Sequence, residues 1–309
     1  MLQHLVTCQL CGSDKFVSLN GIIRKPDLRK ADLKLSEDST VWQCCIKCSF
    51  VFQNPRPSQK FVEDYYARSA YHTSINQEIS QGQIGHSLNA LVRFNAFLHL
   101  NGIRLSDFRG KTCLDFGCGI GSALNILAEA GNTVYGCELD RREQDFARAN
   151  YPSIKMISTV QDVPPGIKFD FIFSHHSLEH VFDPNEFLAF ASRSLAPDGT
   201  LMIVVPSWRG SPSLHYMSGF DLAHNSMFDH ISLAGFMNKH GMYVYSYLYQ
   251  NSGDWEVVTL SRRSPMRNHW PFSMDEVLAE FYENIPLRDG GKPNQGAVHA
   301  PLDTVVVRN

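Results

Sequence analysis

The sequence predicts an α/β protein: a sheet with helices on both faces, preceded by a small cysteine-rich module. Three observations carry that expectation. Strand-like and helix-like segments alternate from about residue 110 to 262, and a glycine-rich turn joins the first of those strands to the first helix. Cysteine is concentrated at the start: Cys8, Cys11, Cys44, Cys45 and Cys48 precede Cys113, Cys118 and Cys137 by a long interval. The chain has 309 residues, 43% of them hydrophobic and 19% charged, which is enough apolar material for one large core and a small satellite.

Composition removes several classes of function. Twenty-eight basic side chains against 31 acidic ones give a net charge of -3, which argues against a broad non-specific grip on nucleic acid. No apolar run reaches the roughly 18 residues that a membrane span needs. The start, MLQHLVTCQLCG, lacks the basic and apolar stretches of an export signal, so a cytoplasmic protein with no membrane partner is expected.

Residues 1–57 read as a separate module. Cys8-Gln9-Leu10-Cys11 and Cys45-Ile46-Lys47-Cys48 stand at its two ends, with the polar stretch Arg24 to Thr40 between them. Trp42 and Phe50-Val51-Phe52 flank the second pair like ribbon strands, and Asn54-Pro55-Arg56-Pro57 closes the module. Two C-x₂-C knuckles suit tetrahedral Zn²⁺; with Cys8, Cys11, Cys45 and Cys48 as ligands no position stays open, so the ion is structural. The extra Cys44 leaves a slipped ligation open, and the repeated spacing favours Cys45.

Residues 58–105 turn helical. Phe61, Val62, Tyr65 and Tyr66 share one face, and a longer helix covers Ile84 to Leu100. Within 106–262, strands are expected at Thr112–Phe116, Thr133–Cys137, Phe169–Ser174, Leu201–Val205, Tyr243–Leu248 and Glu256–Leu260. Helices are expected at Ser122–Ala130, from Asp183-Pro184 to Leu195, and at Leu233–Lys239. Gly131 is placed to end the first helix, Asp183 to cap the second, and Ala196-Pro197-Asp198-Gly199 to turn the chain. The extension 263–309 holds one expected helix, Met274–Tyr282, and no readable role.

The segment Leu114-Asp115-Phe116-Gly117-Cys118-Gly119-Ile120-Gly121 lets backbone approach a ligand at a helix start. Its G-x-G-x-G spacing puts Ser122 where a dinucleotide fingerprint has a glycine, and no G-K-[ST] follows. It resembles motif I of the class I S-adenosylmethionine methyltransferases, whose sheet is Rossmann-like. The resemblance implies S-adenosylmethionine as cofactor, with Asp115 near its ammonium and Gly117, Cys118, Gly119 and Gly121 passing beside the methionine moiety. Glu138 then meets the ribose hydroxyls, Asp162 the adenine side, and Ser174 and His175 the cofactor side of the fourth strand end.

The block Ser174-His175-His176-Ser177-Leu178-Glu179-His180-Val181 lacks the Asn/Asp-Pro-Pro-aromatic run of amino methyltransferases. It looks like the His-x-Leu-Glu-His-Val segment of small-molecule methyltransferases, including sugar enzymes and ubiquinone O-methyltransferases. An imidazole suits removal of a proton from the acceptor, so His176 is the expected base and His180 the second candidate. Two other readings stay open. Glu179 and His180 lock the loop, or His176, Glu179 and His180, at i, i+3 and i+4, bind a divalent ion.

The zinc module, the Asn-Pro-Arg-Pro end, Tyr65, Tyr66 and Tyr71, and the cofactor domain together resemble the zinc-containing sugar C-methyltransferases over residues 8 to about 260. Of their Tyr-His-Glu-His run, Asp221-Leu222-Ala223-His224 keeps the last His, which makes His224 a substrate-side candidate. A small polar metabolite, a sugar or nucleotide-linked sugar, is therefore the expected acceptor, methylated on oxygen, nitrogen or carbon. RNA is the competing acceptor, carried by Arg24-Lys25, Arg29-Lys30 and Lys34; a non-catalytic scaffold is the third reading. The oligomeric state is not readable.

Overall fold

The structure, a computed structural model, describes residues 2–19, 42–60, 63–64, 92, 95–207, 224–251, 255–263 and 307–308. Near the N-terminus lie β1 (Leu2–Gln3), β2 (Phe16–Ser18), β3 (Trp42–Cys45), β4 (Val51–Gln53) and β5 (Arg56–Pro57). β1 pairs with β5, and β2, β3 and β4 form an antiparallel meander around the fully buried Trp42, Phe50 and Phe52.

The larger sheet starts with β6 (Thr112–Phe116), β7 (Thr133–Cys137), β8 (Ile154–Ile157), β9 (Phe169–His175) and β10 (Leu195–Pro206), all parallel. β11 (Ser226–Met227) belongs elsewhere. β12 (Met242–Asn251), β13 (Trp255–Arg263) and β14 (Val307–Arg308) extend the sheet, giving the order β14-β12-β13-β10-β9-β6-β7-β8. β13 is inserted antiparallel between β10 and β12. The chain lays β6 down first, moves outward through β7 and β8, then returns to add β9 and β10 on the other side. Strand order therefore reverses between β6 and β9, and a crevice opens beyond their C-terminal ends.

Helices α1 (Ser122–Glu129), α2 (Arg141–Asn150), α3 (Pro184–Ser194) and α4 (His230–Lys239) lie on the two faces. Leu124 and Leu127 of α1 pack with Cys113, Phe171 and Val204 on one face. Phe187 and Leu188 of α3 and Leu233 and Phe236 of α4 pack with Leu114, Ile172 and Ile203 on the other. Local signals set the ends: Asp183 accepts a hydrogen bond from the Asn185 N–H, Pro184 opens α3, and Gly131 follows α1 at φ +88°.

Three features depart from the sequence expectation. α2 and β8 fill the interval after Glu138, where no hydrophobic period marks them: α2 buries Glu143, Gln144 and Ala147 rather than an apolar stripe. β10 runs through the expected turn at Ala196–Gly199, which survives only as a jump in register against β9 between Leu195 and Thr200. Finally, β11 pairs antiparallel with β4, so the small sheet is completed by a strand that follows β10 of the large one. Phe50 seals that junction, with ring centroids 5.6 Å from Phe228 and 4.9 Å from Phe236.

Of the expected helix over Ile84 to Leu100, residues 95–100 are helical, and Phe97 and Leu98 bury against the α1 face. Phe61, Val62, Tyr65, Tyr66, Tyr71, Arg24 to Lys34, Asp221 to Ala223 and Met274–Tyr282 lie outside the described residues. Among those described, no helix is long and apolar enough to cross a membrane.

Candidate active site

The crevice has two edges. On the first, the chain leaves β6 through Gly117, Gly119 and Gly121 at φ +79°, +54° and +77°. The N–H groups of Gly117 and Cys118 both donate to the Cys137 carbonyl (2.8 and 3.1 Å), tying the turn to the end of β7. The Cys118 thiol faces the Gly119 carbonyl at 3.6 Å. No side chain fits at Gly117: a Cβ there would lie 2.6 Å from Ser177 Cβ and overlap its hydroxyl.

Glu138, just past β7, accepts from the Gly119 N–H (3.0 Å) through one oxygen, and from Leu139 and Asp140 (2.7 and 2.9 Å) through the other. Burial raises its pKa, and the N–H groups of Asp140, Gly119 and Leu139 hold it back. Asp115 is buried, and its carboxyl is pushed up to about 8, first by burial and then by the charge of Glu138. Among the described residues this acidity is unmatched. A ligand bringing an ammonium and a sulfonium relieves it, whereas a phosphate group would add to it, so these residues fit S-adenosylmethionine. Asp162 is exposed, and its carboxylate accepts from the Thr159 N–H and hydroxyl (2.9 and 3.2 Å) in its own turn. Ser174 is fully buried on β9, its hydroxyl unpartnered among the described residues. The His175 ring stacks on Phe173, its centroid 6.1 Å away and its plane nearly parallel.

The second edge begins where β9 ends. His176 adopts a left-handed φ of +50°, with its N–H bonded to the Val204 carbonyl (2.9 Å). That twist swings the imidazole sideways, so Nε2 lies 2.8 Å from Oε1 of Glu256 at the start of β13. The following one-turn helix spans only Leu178–His180. His176 is thus not part of a continuous helical turn with Glu179 and His180, and the expected set of three is split. His224 takes its place: the ring centroids of His180 and His224 are 4.6 Å apart, and the ligand atoms of Glu179, His180 and His224 all lie within 4.8 Å. Glu179 is fully buried, and neither carboxylate oxygen accepts a hydrogen bond among the described residues. Burial raises its pKa, while His176 and His224 pull it down. Of the described clusters on this edge, Glu179, His180 and His224 form one donor set able to hold a divalent ion, and the loop-locking reading is met instead by backbone. The Asn225 N–H donates to the Glu179 carbonyl (2.8 Å) and the Asn225 amide to the His180 carbonyl (2.8 Å). Glu256 escaped the sequence reading; its one signal is a lone acid in the apolar run Trp255-Glu256-Val257-Val258.

The cysteine module grips this second edge. Cys8, Cys11, Cys45 and Cys48 bring four sulfurs within 4.8 Å of one another, with Cys8–Cys48 and Cys11–Cys45 each 3.5 Å apart. Gly12 and Ser49, each directly after a knuckle, share a left-handed φ of +73° and +56°. Cys44 faces the Cys45 carbonyl instead, and its thiol is pushed up to about 12, mainly by burial. Gln9, inside the first knuckle, donates to the Phe182 carbonyl (3.0 Å), while its own carbonyl accepts from Asn185 and Lys239 (3.0 and 2.6 Å). The Gln53 N–H, at the end of β4, donates to the Asn225 carbonyl (3.0 Å). One knuckle and one ribbon strand therefore bracket the turn that carries Glu179 and His180.

Comparison with known proteins fits this geometry. A family described as a methyltransferase domain matches residues 91–247, just over half of the chain. A probable S-adenosylmethionine-dependent methyltransferase of Mycolicibacterium smegmatis is 26% identical over 100 residues, covering 32% of this chain and 39% of its own length. A ubiquinone biosynthesis O-methyltransferase of Paramagnetospirillum magneticum is 33% identical over 103 residues, covering 32% and 41%. The chain thus spans about two fifths of the length of these relatives. Among solved structures, the 1,6-didemethyltoxoflavin-N1-methyltransferase of Burkholderia thailandensis shares the fold at a TM-score of 0.51 and 17% identity, covering 71% of this chain and 97% of its own. The chain belongs to the methyltransferase-domain family.

The state of Asp115 gives a prediction. A cation stabilises its carboxylate, so binding expels the proton that the empty site holds below about pH 8. Affinity for S-adenosylmethionine is expected to rise as pH climbs from about 6 to 8, with proton release visible by calorimetry in buffers of different ionisation heat. Asp115→Asn is expected to abolish that dependence and to weaken binding by ~10-fold or more. A pH-independent wild-type affinity would contradict this account of the edge.

Proposed function

We propose that the protein transfers a methyl group from S-adenosylmethionine to a small polar metabolite, in class a sugar or nucleotide-linked sugar. The observation that carries this reading is the meeting of an acidic cofactor edge and an imidazole-lined acceptor edge at Gly117 and Ser177. S-adenosylmethionine supplies an activated methyl group when bound. Asp115, Glu138 and the backbone of Gly117, Cys118, Gly119 and Gly121 hold it, with Ser174 and His175 beneath and Asp162 at the rim. His176 removes the acceptor proton, and His180 and His224 orient the acceptor from the other side. The small-molecule acceptors named for the ubiquinone and toxoflavin relatives support the class, and the cysteine module with its Asn-Pro-Arg-Pro end supports the sugar.

We further propose that Cys8, Cys11, Cys45 and Cys48 hold one structural Zn²⁺. Tetrahedral ligation at ~2.3 Å sets sulfurs roughly 3.8 Å apart, within the range these four span. Such an ion contributes on the order of 10 kcal/mol to the folding of its module.

Methyl-labelled S-adenosylmethionine incubated with an extract of small metabolites is expected to put label into the low-molecular-weight fraction. His176→Ala is expected to cut that transfer by ~100-fold with cofactor affinity kept. Label appearing in RNA instead would refute the metabolite reading and bring Arg24 to Lys34 forward. For zinc, Cys11→Ser should lose about one metal equivalent by elemental analysis and lower the melting temperature. A wild-type protein purified without zinc, and unchanged by its addition, would rule the ion out.

A further inference from the structure

Glu256 is a buried carboxylate at the apolar start of β13, 2% exposed, with Pro206 of β10 and Gln250 of β12 as its cross-strand neighbours. A carboxylate in that position is costly unless a donor or positive charge meets it. Nε2 of His176 lies 2.8 Å from its Oε1, at ion-pair distance and outside hydrogen-bond geometry. His176 in turn holds a left-handed backbone, which is strained for a non-glycine residue. Its N–H bond to Val204 and its ring, 4.4 Å from that of His175, fix it there. A strained, cross-braced imidazole aimed at a buried acid is an arrangement that orients a proton acceptor.

We propose that Glu256 is the positioning residue of His176. It keeps Nε2 protonated and turned inward, leaves Nδ1 as the nitrogen that accepts the acceptor's proton, and stabilises the resulting imidazolium. This role rests on the reading of His176 as the base. For a hydroxyl acceptor, the O–H proton goes to Nδ1 and the oxygen pair forms the new C–O bond. The pair of the breaking C–S bond returns to sulfur, so the positive charge leaves the sulfonium and appears on His176. Glu256 is in contact with that charge, and His175 and Glu179 are the other described titratable groups facing it.

The test is a histidine ¹⁵N titration of the full chain, with the His176 signals identified by their loss in His176→Gln. In the wild type, neutral His176 is expected to carry its proton on Nε2; a proton on Nδ1 would overturn the proposal without any variant at Glu256. Glu256→Gln keeps the shape and removes the charge. It is expected to lower the His176 pKa by about one unit or more. The acid limb of kcat/KM should move to lower pH, kcat should fall ~10-fold or more, and KM for S-adenosylmethionine should hold. An unmoved His176 titration, with S-adenosylhomocysteine binding intact, would reduce Glu256 to a structural ion pair and sink its role alone. Normal turnover by His176→Ala would sink the base assignment, and this role with it.

Discussion

The backbone at Gly117 runs against the side chain of Ser177, so the turn leaving β6 and the turn leaving β9 share one boundary. That contact sits where strand order reverses, the place at which an open α/β sheet leaves room for a ligand. Everything polar in the site is arranged around it. The Cys137 carbonyl receives the two N–H groups of the glycine turn on one side, and the Val204 carbonyl receives the His176 N–H on the other. Each edge is thereby fixed to the end of a buried strand rather than to a neighbouring loop.

The two edges differ in how their charge is met. Among the described residues Asp115 and Glu138 face each other without a cation, and burial keeps Asp115 protonated near neutrality. Glu179 and Glu256, as deeply buried, stand beside imidazoles. The first edge gathers acidity that a positively charged ligand would relieve; the second sets imidazoles beside its carboxylates. The cysteine module serves the second edge. Gln9, Gln53 and Asn225 join knuckle, ribbon and turn by hydrogen bonds, which makes the four-cysteine cluster a determinant of where Glu179 and His180 sit.

The first edge was legible in the sequence because its parts are local or sit at fixed spacing: strand, glycine turn, helix, then Glu138 at the end of the next strand. The paired knuckles were legible for the same reason. Much of the second edge was not. Glu256 reaches His176 only through the insertion of β13 between β10 and β12, and β11 reaches β4 across most of the large sheet's sequence; no sequence period encodes either pairing. Helical spacing grouped His176 with Glu179 and His180, but the left-handed residue at 176 and a helix starting at Leu178 break that period. α2 was invisible because a helix that buries Glu143 and Gln144 shows no apolar face.

The contact at Gly117 is tested most directly by calorimetry of S-adenosylhomocysteine binding to Gly117→Ala and to Gly117→Ala combined with Ser177→Gly. A methyl group at 117 meets both the hydroxyl and the Cβ of Ser177, and an alanine at φ +79° adds about 1–2 kcal/mol of backbone strain. The single variant is expected to lose binding by ~100-fold or more, and the double variant to recover part of it while keeping the cost of strain. Wild-type affinity in Gly117→Ala would contradict the account.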